Sequence, residues 1–162
     1  MEEVLDVFNK LNIEYKLVRH VAIFNRKDES LVKDIDFGGV CCKNLFLKDK
    51  KHNAFYLVSM PVDKRADLKK ISNELNSDRL SFGNEEELWD NLHIKPGSVS
   101  LLNVIGAPET SVTFVIDKQL ESVERVSFHP NDNTASISFE AKNITKILDN
   151  YNKKYVFLEV EA

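Results

Sequence analysis

The segment VCCKNLFLKDKKHNAFYLVSM, residues 40–60, decides the fold of this chain. Two largely apolar runs, residues 40–47 and 54–60, flank the polar sequence KDKKHN. Such runs on either side of a short polar turn are typical of a β-hairpin. Lys43 is the exception within the first run, because a lysine among apolar neighbours either reaches water or serves a site. We therefore predict a hairpin whose first strand carries an unusual lysine.

Apolar periodicity predicts further elements on both sides of the hairpin. Helices are predicted over residues 2–11, 28–35, 68–75, 83–92 and 144–151, the fourth with Asn84 as N-cap and Glu87 completing a capping box. Strands are predicted over residues 15–20, 98–105, 111–116, 124–129, 134–139 and 154–160. Hairpins and helices are mixed rather than alternating strictly, which favours an α+β fold around a mixed sheet.

Length and composition limit the class of protein. A chain of 162 residues suits one domain, here residues 1–162, with a proper core. The net charge of −4 argues against a protein that coats nucleic acid through bulk charge. Apolar stretches fall short of the ~20 residues that a membrane helix needs. We expect a cytoplasmic monomer with no membrane contact, and the adjacent Cys41 and Cys42 suggest neither a zinc site nor a disulfide framework.

Familiar catalytic signatures are missing from the sequence, and the histidines lack metal-ligand spacing. We therefore expect neither a metal nor another cofactor. Three stretches, CCKNLFL, KPGSVSLL and FHPNDNTASISF, place polar groups where plain strands would not. Each also has an ordinary interpretation, as a strand-edge lysine, a β-turn or a loop with a surface histidine. The residues alone leave both interpretations open.

The order of these stretches resembles the YbaK/ProX family of editing domains, which are related to the insertion domain of prolyl-tRNA synthetases. The similarity rests on HVAIF (20–24), GGVCCKNLFLKDKK (38–51), YLVSMPVDKRADLKKIS (56–72), RLSFGNEEEL (79–88), KPGSVSLL (95–102) and SFHPNDNTASIS (127–138). Among the subgroups, the chain looks most like freestanding deacylases that remove alanine from mischarged tRNA-Pro. The resemblance implies an α+β domain with a barrel-like mixed sheet flanked by helices, acting on an aminoacyl ester at the end of a tRNA, with prolyl-tRNA synthetase as a further partner.

The resemblance also implies roles for single residues. The implied catalytic residues are Lys43, Gly97 and His129. The implied substrate-binding residues are His20, Phe24, Asn44, Ser98, Asn133 and Thr134. A lysine cluster in the hairpin turn, Lys48, Lys50 and Lys51, is predicted to contact tRNA phosphates, with solvated surface lysines as the alternative.

Two departures from the family pattern bear on the substrate. Leu101 stands where the family usually has proline, and Gly106-Ala107 replaces a common Asn-Asp pair. The first change predicts a less rigid loop beside the pocket, so serine, cysteine or glycine remain alternatives to alanine.

Two other functions also remain open. One is a non-catalytic module that binds tRNA or a synthetase, and the other is a thiol sensor that uses Cys41 and Cys42.

Overall fold

The computed structural model of the protein describes residues 1–21 and 36–161. This part of the chain contains four α-helices: α1 (Glu2–Lys10), α2 (Leu68–Leu75), α3 (Glu85–Leu92) and α4 (Asn143–Asn150). They confirm four of the predicted helices, and the helix predicted over residues 28–35 lies outside the described residues. None of the described helices is long and apolar enough to cross a membrane.

Eight β-strands are assigned in the described residues: β1 (Tyr15–Arg19), β2 (Val40–Asp49), β3 (Ala54–Pro61), β4 (Leu80–Phe82), β5 (Thr113–Asp117), β6 (Arg125–Phe128), β7 (Ala135–Glu140) and β8 (Tyr155–Leu158). The central hairpin is confirmed, with β2 and β3 paired antiparallel from Cys42 opposite Pro61 to Asp49 opposite Ala54. The short strand β4 was not predicted.

The strand predicted over residues 98–105 is wrong, because Leu101–Ile105 form a 3-10 helix. Two hydrogen bonds within residues 100–103 cap the start of this 3-10 helix. The Ser100 hydroxyl accepts a hydrogen bond from the Leu102 N–H (3.1 Å), and the Asn103 side chain accepts one from the Ser100 N–H (2.7 Å). All five helical residues are buried, so the run LLNVI lacks the polar alternation that separates a helix from a strand in sequence.

The strands form one mixed sheet in the order β1-β7-β6-β2-β3-β5-β8, with β4 added on β2. Neighbours are parallel at β6–β2, β3–β5 and β5–β8, and antiparallel at the other pairings. This mixture of strand directions, with helices outside the sheet, confirms the predicted α+β class.

The sheet separates two apolar clusters, because successive side chains of a strand point to opposite faces. The larger cluster joins α1, α3, α4 and the 3-10 helix to the sheet, with Phe8, Phe128 and Phe139 among its fully buried side chains. The smaller cluster lies under α2, where Ile71 packs with Met60 and its neighbours on the sheet. On β2, Phe46 belongs to the larger cluster and Leu47 to the smaller one.

The predicted capping box of α3 is confirmed. The Asn84 side chain accepts a hydrogen bond from the Glu87 N–H (2.8 Å), and the Glu87 carboxylate accepts one from the Asn84 N–H (2.9 Å). These two bonds satisfy backbone groups that a helix start otherwise leaves without partners. The local sequence therefore determines where this helix begins.

Candidate active site

A gap opens along one edge of β2. On this edge β6 pairs with Val40 and Cys41, whereas β4 pairs with the segment from Leu47 to Asp49. Among the described strands, residues 42–46 have no ladder partner between these two pairings. The segment CKNLF, which contains Lys43 and Asn44, therefore borders a place where neighbouring strands part.

Lys43 is half-buried at this gap. Its ammonium donates a hydrogen bond to the backbone carbonyl of Lys64, in the turn after β3. An ammonium carries three donors, and this contact engages one of them. Lys43 is thus held by backbone on the β3 side of β2 rather than lying extended into bulk water, and its charge could serve an anionic or carbonyl group of a ligand.

Asn44 is held from two sides through its side-chain oxygen. The oxygen accepts hydrogen bonds from the Ser59 hydroxyl (2.6 Å) and from the backbone N–H of Leu101 (3.1 Å). Because both contacts use the oxygen, the NH₂ group is the part of the amide that could donate to a substrate. Leu101 holds the loop through this N–H, which a proline at the same position could not donate.

The predicted turn at Pro96-Gly97 is confirmed, and Gly97 has a φ of +96°. This left-handed conformation favours glycine. The Ser98 N–H donates to the Lys95 carbonyl (3.2 Å), and the Ser98 carbonyl accepts from the Asn103 amide (3.2 Å). The segment from Gly97 to Leu101, which we call the loop wall, is therefore held in place beside Asn44.

Asn103 links this wall to the loop after β6. Its amide donates to the Asn131 side-chain oxygen at 2.5 Å, and the Asn103 side chain is almost fully buried. Gly106 lies next to the same contact, because a Cβ atom there would lie 3.6 Å from the Asn131 amide nitrogen. That is ordinary contact, so the glycine is not required for space. The two predicted stretches KPGSVSLL and FHPNDNTASISF meet here.

His20 and His129 come together above the ends of β1 and β6, with ring centroids 5.9 Å apart. His129 Nδ1 lies 3.0 Å from the Ala135 carbonyl, and His20 Nδ1 lies 2.7 Å from the Val21 carbonyl. A carbonyl only accepts, so each Nδ1 carries the proton and each Nε2 is left as an acceptor. His20 Nε2 accepts from the Ser136 hydroxyl at 2.9 Å.

The environment of His129 favours its neutral form. Burial lowers the pKa of His129, and the neighbouring His20 acts in the same direction, while the hydrogen bond to the Ala135 carbonyl opposes them. A neutral imidazole with its proton on Nδ1 can accept a proton or a hydrogen bond at Nε2. His129 could therefore hold or activate a water molecule at neutral pH.

A buried face of serines is the part of the site that sequence reasoning missed. Ser127, Ser136 and Ser138 are buried on the face of β6 and β7 that turns away from the larger apolar cluster. Buried polar side chains are more informative than buried apolar ones. The alternation in TASISF carried the signal, because Ser136 and Ser138 share one face while Ile137 and Phe139 share the other.

Of the remaining predicted residues, Asn133 and Thr134 belong to the polar loop between β6 and β7. Thr134 is exposed and belongs to the polar loop, where its N–H and hydroxyl both donate to Asp132 (2.8 and 2.6 Å), and Asn133 precedes it. The Thr134 carbonyl accepts from the His20 N–H (2.9 Å), which joins this loop to β1. Phe24 lies outside the described residues.

The three predicted tRNA-binding lysines lie at the other end of the hairpin. Lys50 and Lys51 are exposed in the turn, and the seven positions from Lys43 to Lys50 span roughly 23 Å at about 3.3 Å per residue. Lys48 instead forms an ion pair with Glu87 and lies over the Phe55 ring. The Lys48 ammonium is therefore already paired within the protein, whereas Lys50 and Lys51 are exposed to solvent.

The two cysteines lie beside the gap as thiols. Burial raises the pKa of both Cys41 and Cys42, and at Cys42 the charge of a Cys41 thiolate would raise it further. Cys42 also packs against the larger apolar cluster. Thiols held protonated are poor nucleophiles, so neither cysteine is placed for thiol chemistry. Within residues 1–21 and 36–161, no three His, Cys, Asp or Glu side chains converge as a metal site.

Comparisons with known proteins identify relatives of this chain. The profile of the aminoacyl-tRNA editing domain matches residues 36–147. The chain is 32% identical over 147 residues to the prolyl-tRNA editing protein ProX of Acetoanaerobium sticklandii, covering 91% of this chain and 89% of that protein. It is also 32% identical over 151 residues to prolyl-tRNA synthetase associated domain-containing protein 1 of Xenopus laevis, again covering 91% and 89%.

A solved structure shows the same fold. The crystal structure of a candidate trans-editing enzyme for prolyl-tRNA synthetase superposes with a TM-score of 0.68 at 18% identity, covering 98% of this chain and 95% of the other. The family profile and the two relatives confirm the resemblance inferred from the sequence motifs. The profile spans most of the chain, including Lys43, Asn44, Gly97 and His129. The chain belongs to the aminoacyl-tRNA editing domain family.

Proposed function

We propose that this protein is a trans-editing deacylase that removes alanine from mischarged tRNA-Pro in the cytoplasm, with residues 1–162 acting as one editing domain. The observation that carries the proposal is the gap beside β2, which Lys43 borders on one face of the strand and Asn44 on the other, with the neutral His129 directly after the end of β6. Ligand sites usually contain a small number of placed polar groups, and these three residues supply such groups.

The site suits hydrolysis of an ester without a strong nucleophile. An aminoacyl ester is already activated, so holding a water molecule and stabilising the oxyanion can suffice. Water adds to the ester carbonyl carbon, the bond to the ribose oxygen breaks, and that oxygen takes the proton. The Asn44 NH₂ group supplies a donor for the developing negative charge, and the Lys43 ammonium, on the other face of β2, is assigned to an anionic or carbonyl group of the substrate. His129 Nε2 supplies an acceptor for the water.

Selection for alanine follows from size. A synthetase site built for proline cannot strongly reject a smaller side chain, because losing a few methylenes costs only about 1–3 kcal/mol. A second pocket that admits alanine and excludes the proline ring sorts the two products. The loop wall from Gly97 to Leu101 supports such a pocket, since hydrogen bonds to Asn103 and Asn44 hold it in place.

Binding of tRNA is proposed to use the exposed turn of the central hairpin. Lys50 and Lys51 present two ammonium groups there, in a protein of net charge −4. Phosphate contacts position a nucleic acid without reading its sequence. An acidic protein with a small basic patch should bind tRNA weakly and release its product readily.

The test is deacylation of tRNA-Pro charged separately with alanine, proline, serine and cysteine. We would compare the wild-type protein, Lys43→Ala and a control, Lys142→Ala, whose lysine pairs with Glu140 near the start of α4. We expect fast loss of alanine alone, its near abolition in Lys43→Ala and no change in the control.

Other outcomes separate the alternatives. Preference for serine or cysteine would keep the deacylase and replace its substrate. Hydrolysis that is unchanged in Lys43→Ala would remove the lysine from the mechanism. Binding of tRNA without hydrolysis of any of the four esters would overturn the enzyme and favour the non-catalytic binding module.

A further inference from the structure

A buried carboxylate lies on the same face of the sheet as Lys43. Lys43 pairs with Met60 across β2 and β3. Ser59 pairs with Ile116 across the parallel strands β3 and β5, which places Asp117 beside Met60 one residue further along. Paired residues share a face, and two strand spacings amount to roughly 10 Å. Lys43 and Asp117 therefore flank the fully buried Met60 side chain.

Lys64 connects the two groups. Its backbone carbonyl accepts the hydrogen bond from the Lys43 ammonium, and its own ammonium lies 2.8 Å from an Asp117 carboxylate oxygen. The turn that carries Lys64 is held by two backbone bonds, from the Lys64 N–H to the Pro61 carbonyl (3.2 Å) and from the Val62 N–H to the Cys41 carbonyl (2.9 Å). A continuous set of contacts thus runs from Asp117 to Lys43.

The ion pair between Lys64 and Asp117 is the most strongly restricted of these contacts. Asp117 is 2% exposed, and its other carboxylate oxygen accepts from the Gln119 N–H at 3.1 Å. A buried carboxylate without a cation is strongly unfavourable, so Asp117 restricts where the Lys64 side chain can lie. The Lys64 carbonyl is restricted with it, because side chain and carbonyl belong to one residue of a tight turn.

We propose that Asp117 and Lys64 are positioning residues for Lys43. The ion pair fixes the Lys64 carbonyl, and the carbonyl holds the Lys43 ammonium in place. Neither residue needs to touch the substrate. The catalytic consequence rests on the proposed deacylase function, whereas the effect on Lys43 itself does not. Small displacements of a positioned group cost large factors in rate, which makes such support worth measuring.

The first test is a double-mutant cycle. Asp117→Asn keeps the shape and the acceptor of the side chain but removes its charge. In the wild-type background we expect deacylation to fall about 10-fold, and in Lys43→Ala we expect almost no further fall, because contacting residues couple non-additively. Lys64→Met should reproduce the loss, and Lys64→Arg, which can still pair with Asp117, should restore most of the activity.

Lys70→Met is the matched control. Lys70 lines the same cavity of about 440 Å³ as Lys64 and Asp117. It contacts Glu159 (3.5 Å) and the Glu161 carbonyl (3.1 Å) rather than Lys43 or Lys64. Its loss should leave deacylation unchanged. Thermal unfolding of each variant shows whether reduced activity comes from a smaller folded fraction, which would lower activity equally with and without Lys43.

The second test does not depend on activity. Lysine labelled with carbon-13 gives a Cε–Hε signal for Lys43, assigned by its disappearance in Lys43→Ala. We expect Asp117→Asn to shift this signal and Lys70→Met to leave it in place. An unchanged Lys43 signal, or equal losses of activity from Asp117→Asn in both backgrounds, would overturn the proposal. If the wild-type protein hydrolyses no ester, the deacylase fails and this signal still decides the positioning.

Discussion

The side-chain oxygen of Asn44 and the backbone nitrogen of Leu101 lie 3.1 Å apart, as acceptor and donor of one hydrogen bond. The bond joins the central strand β2 to the loop that follows Gly97. Proline at position 101, which the family resemblance predicts, has no N–H and could not make this bond, whereas leucine ties the loop to the sheet.

Asn44→Asp should impair catalysis while keeping the fold. A carboxylate can still accept from Ser59 and Leu101, but it lacks the NH₂ donor that we assign to the oxyanion. We expect a loss of about 100-fold in the rate of the chemical step, the size seen when one such donor is removed. Single-turnover deacylation of alanyl-tRNA-Pro measures it.

Ser59→Ala is the control for this prediction. It removes one of the two hydrogen bonds that orient the Asn44 oxygen and leaves the donor in place. Its effect should be clearly smaller than that of Asn44→Asp. Full activity of Asn44→Asp would contradict the role that we assign to the amide.

The activity should persist below the usual pKa of histidine. Burial lowers the pKa of His129 from its ordinary value of 6.5, so the imidazole stays neutral as the pH falls through 6.5. A general base must be unprotonated, and the acid limb of kcat/KM should therefore lie below pH 6.5. The pH–rate profile of the wild-type protein measures this limb.

The same shift has a consequence for stability. The unfolded chain takes up a proton at the ordinary pKa and the folded chain at a lower one. The contribution of a neutral His129 is therefore complete above pH 6.5 and is lost as the pH falls towards the folded pKa. His129→Gln should flatten the pH dependence of thermal unfolding in that range.

His93→Gln is the control for the pH–rate profile. It replaces an exposed histidine paired with Glu109 and should leave the acid limb of activity where it is.

Replacing both cysteines should leave deacylation intact. Burial keeps Cys41 and Cys42 protonated, and a thiol is a much weaker nucleophile than a thiolate. We expect the Cys41→Ala/Cys42→Ala protein to retain activity within about two-fold and to lose some stability, because Cys42 packs against the larger apolar cluster. Activity with and without an alkylating reagent gives the measurement. A folded but inactive double variant would instead favour the thiol sensor.

Lys50→Ala/Lys51→Ala should weaken tRNA binding without changing the chemical step. Each phosphate contact that is lost should raise KM and lower the salt dependence of binding by about one unit of slope. Titration of tRNA at several salt concentrations measures both effects. Lys48→Ala is the informative comparison, because Glu87 already engages that ammonium. Equal slopes in the wild-type and double-variant proteins would remove this turn from the tRNA interface.

Local sequence was sufficient for much of the fold. The hairpin over residues 40–60, the helix starting at Asn84 and the apolar stripes of α1 and α4 depend on periodicity and capping within a few residues. The run LLNVI was misread because full burial of a short apolar run removes the alternation on which such a prediction depends. Family motifs then identified Lys43, Asn44, Gly97 and His129 as candidates, although not what holds each of them.

Tertiary structure alone decided how these residues are supported. The sequence by itself indicated the mixed sheet, the deacylase family and the candidate lysine. It did not indicate that Asn44 would bind Leu101, that His20 would meet Ser136, or that Asp117 would support Lys43 through Lys64. These partners are separated by 21 to 116 positions in the chain. Their contacts depend on strand order and register, and no periodicity within one segment carries that information.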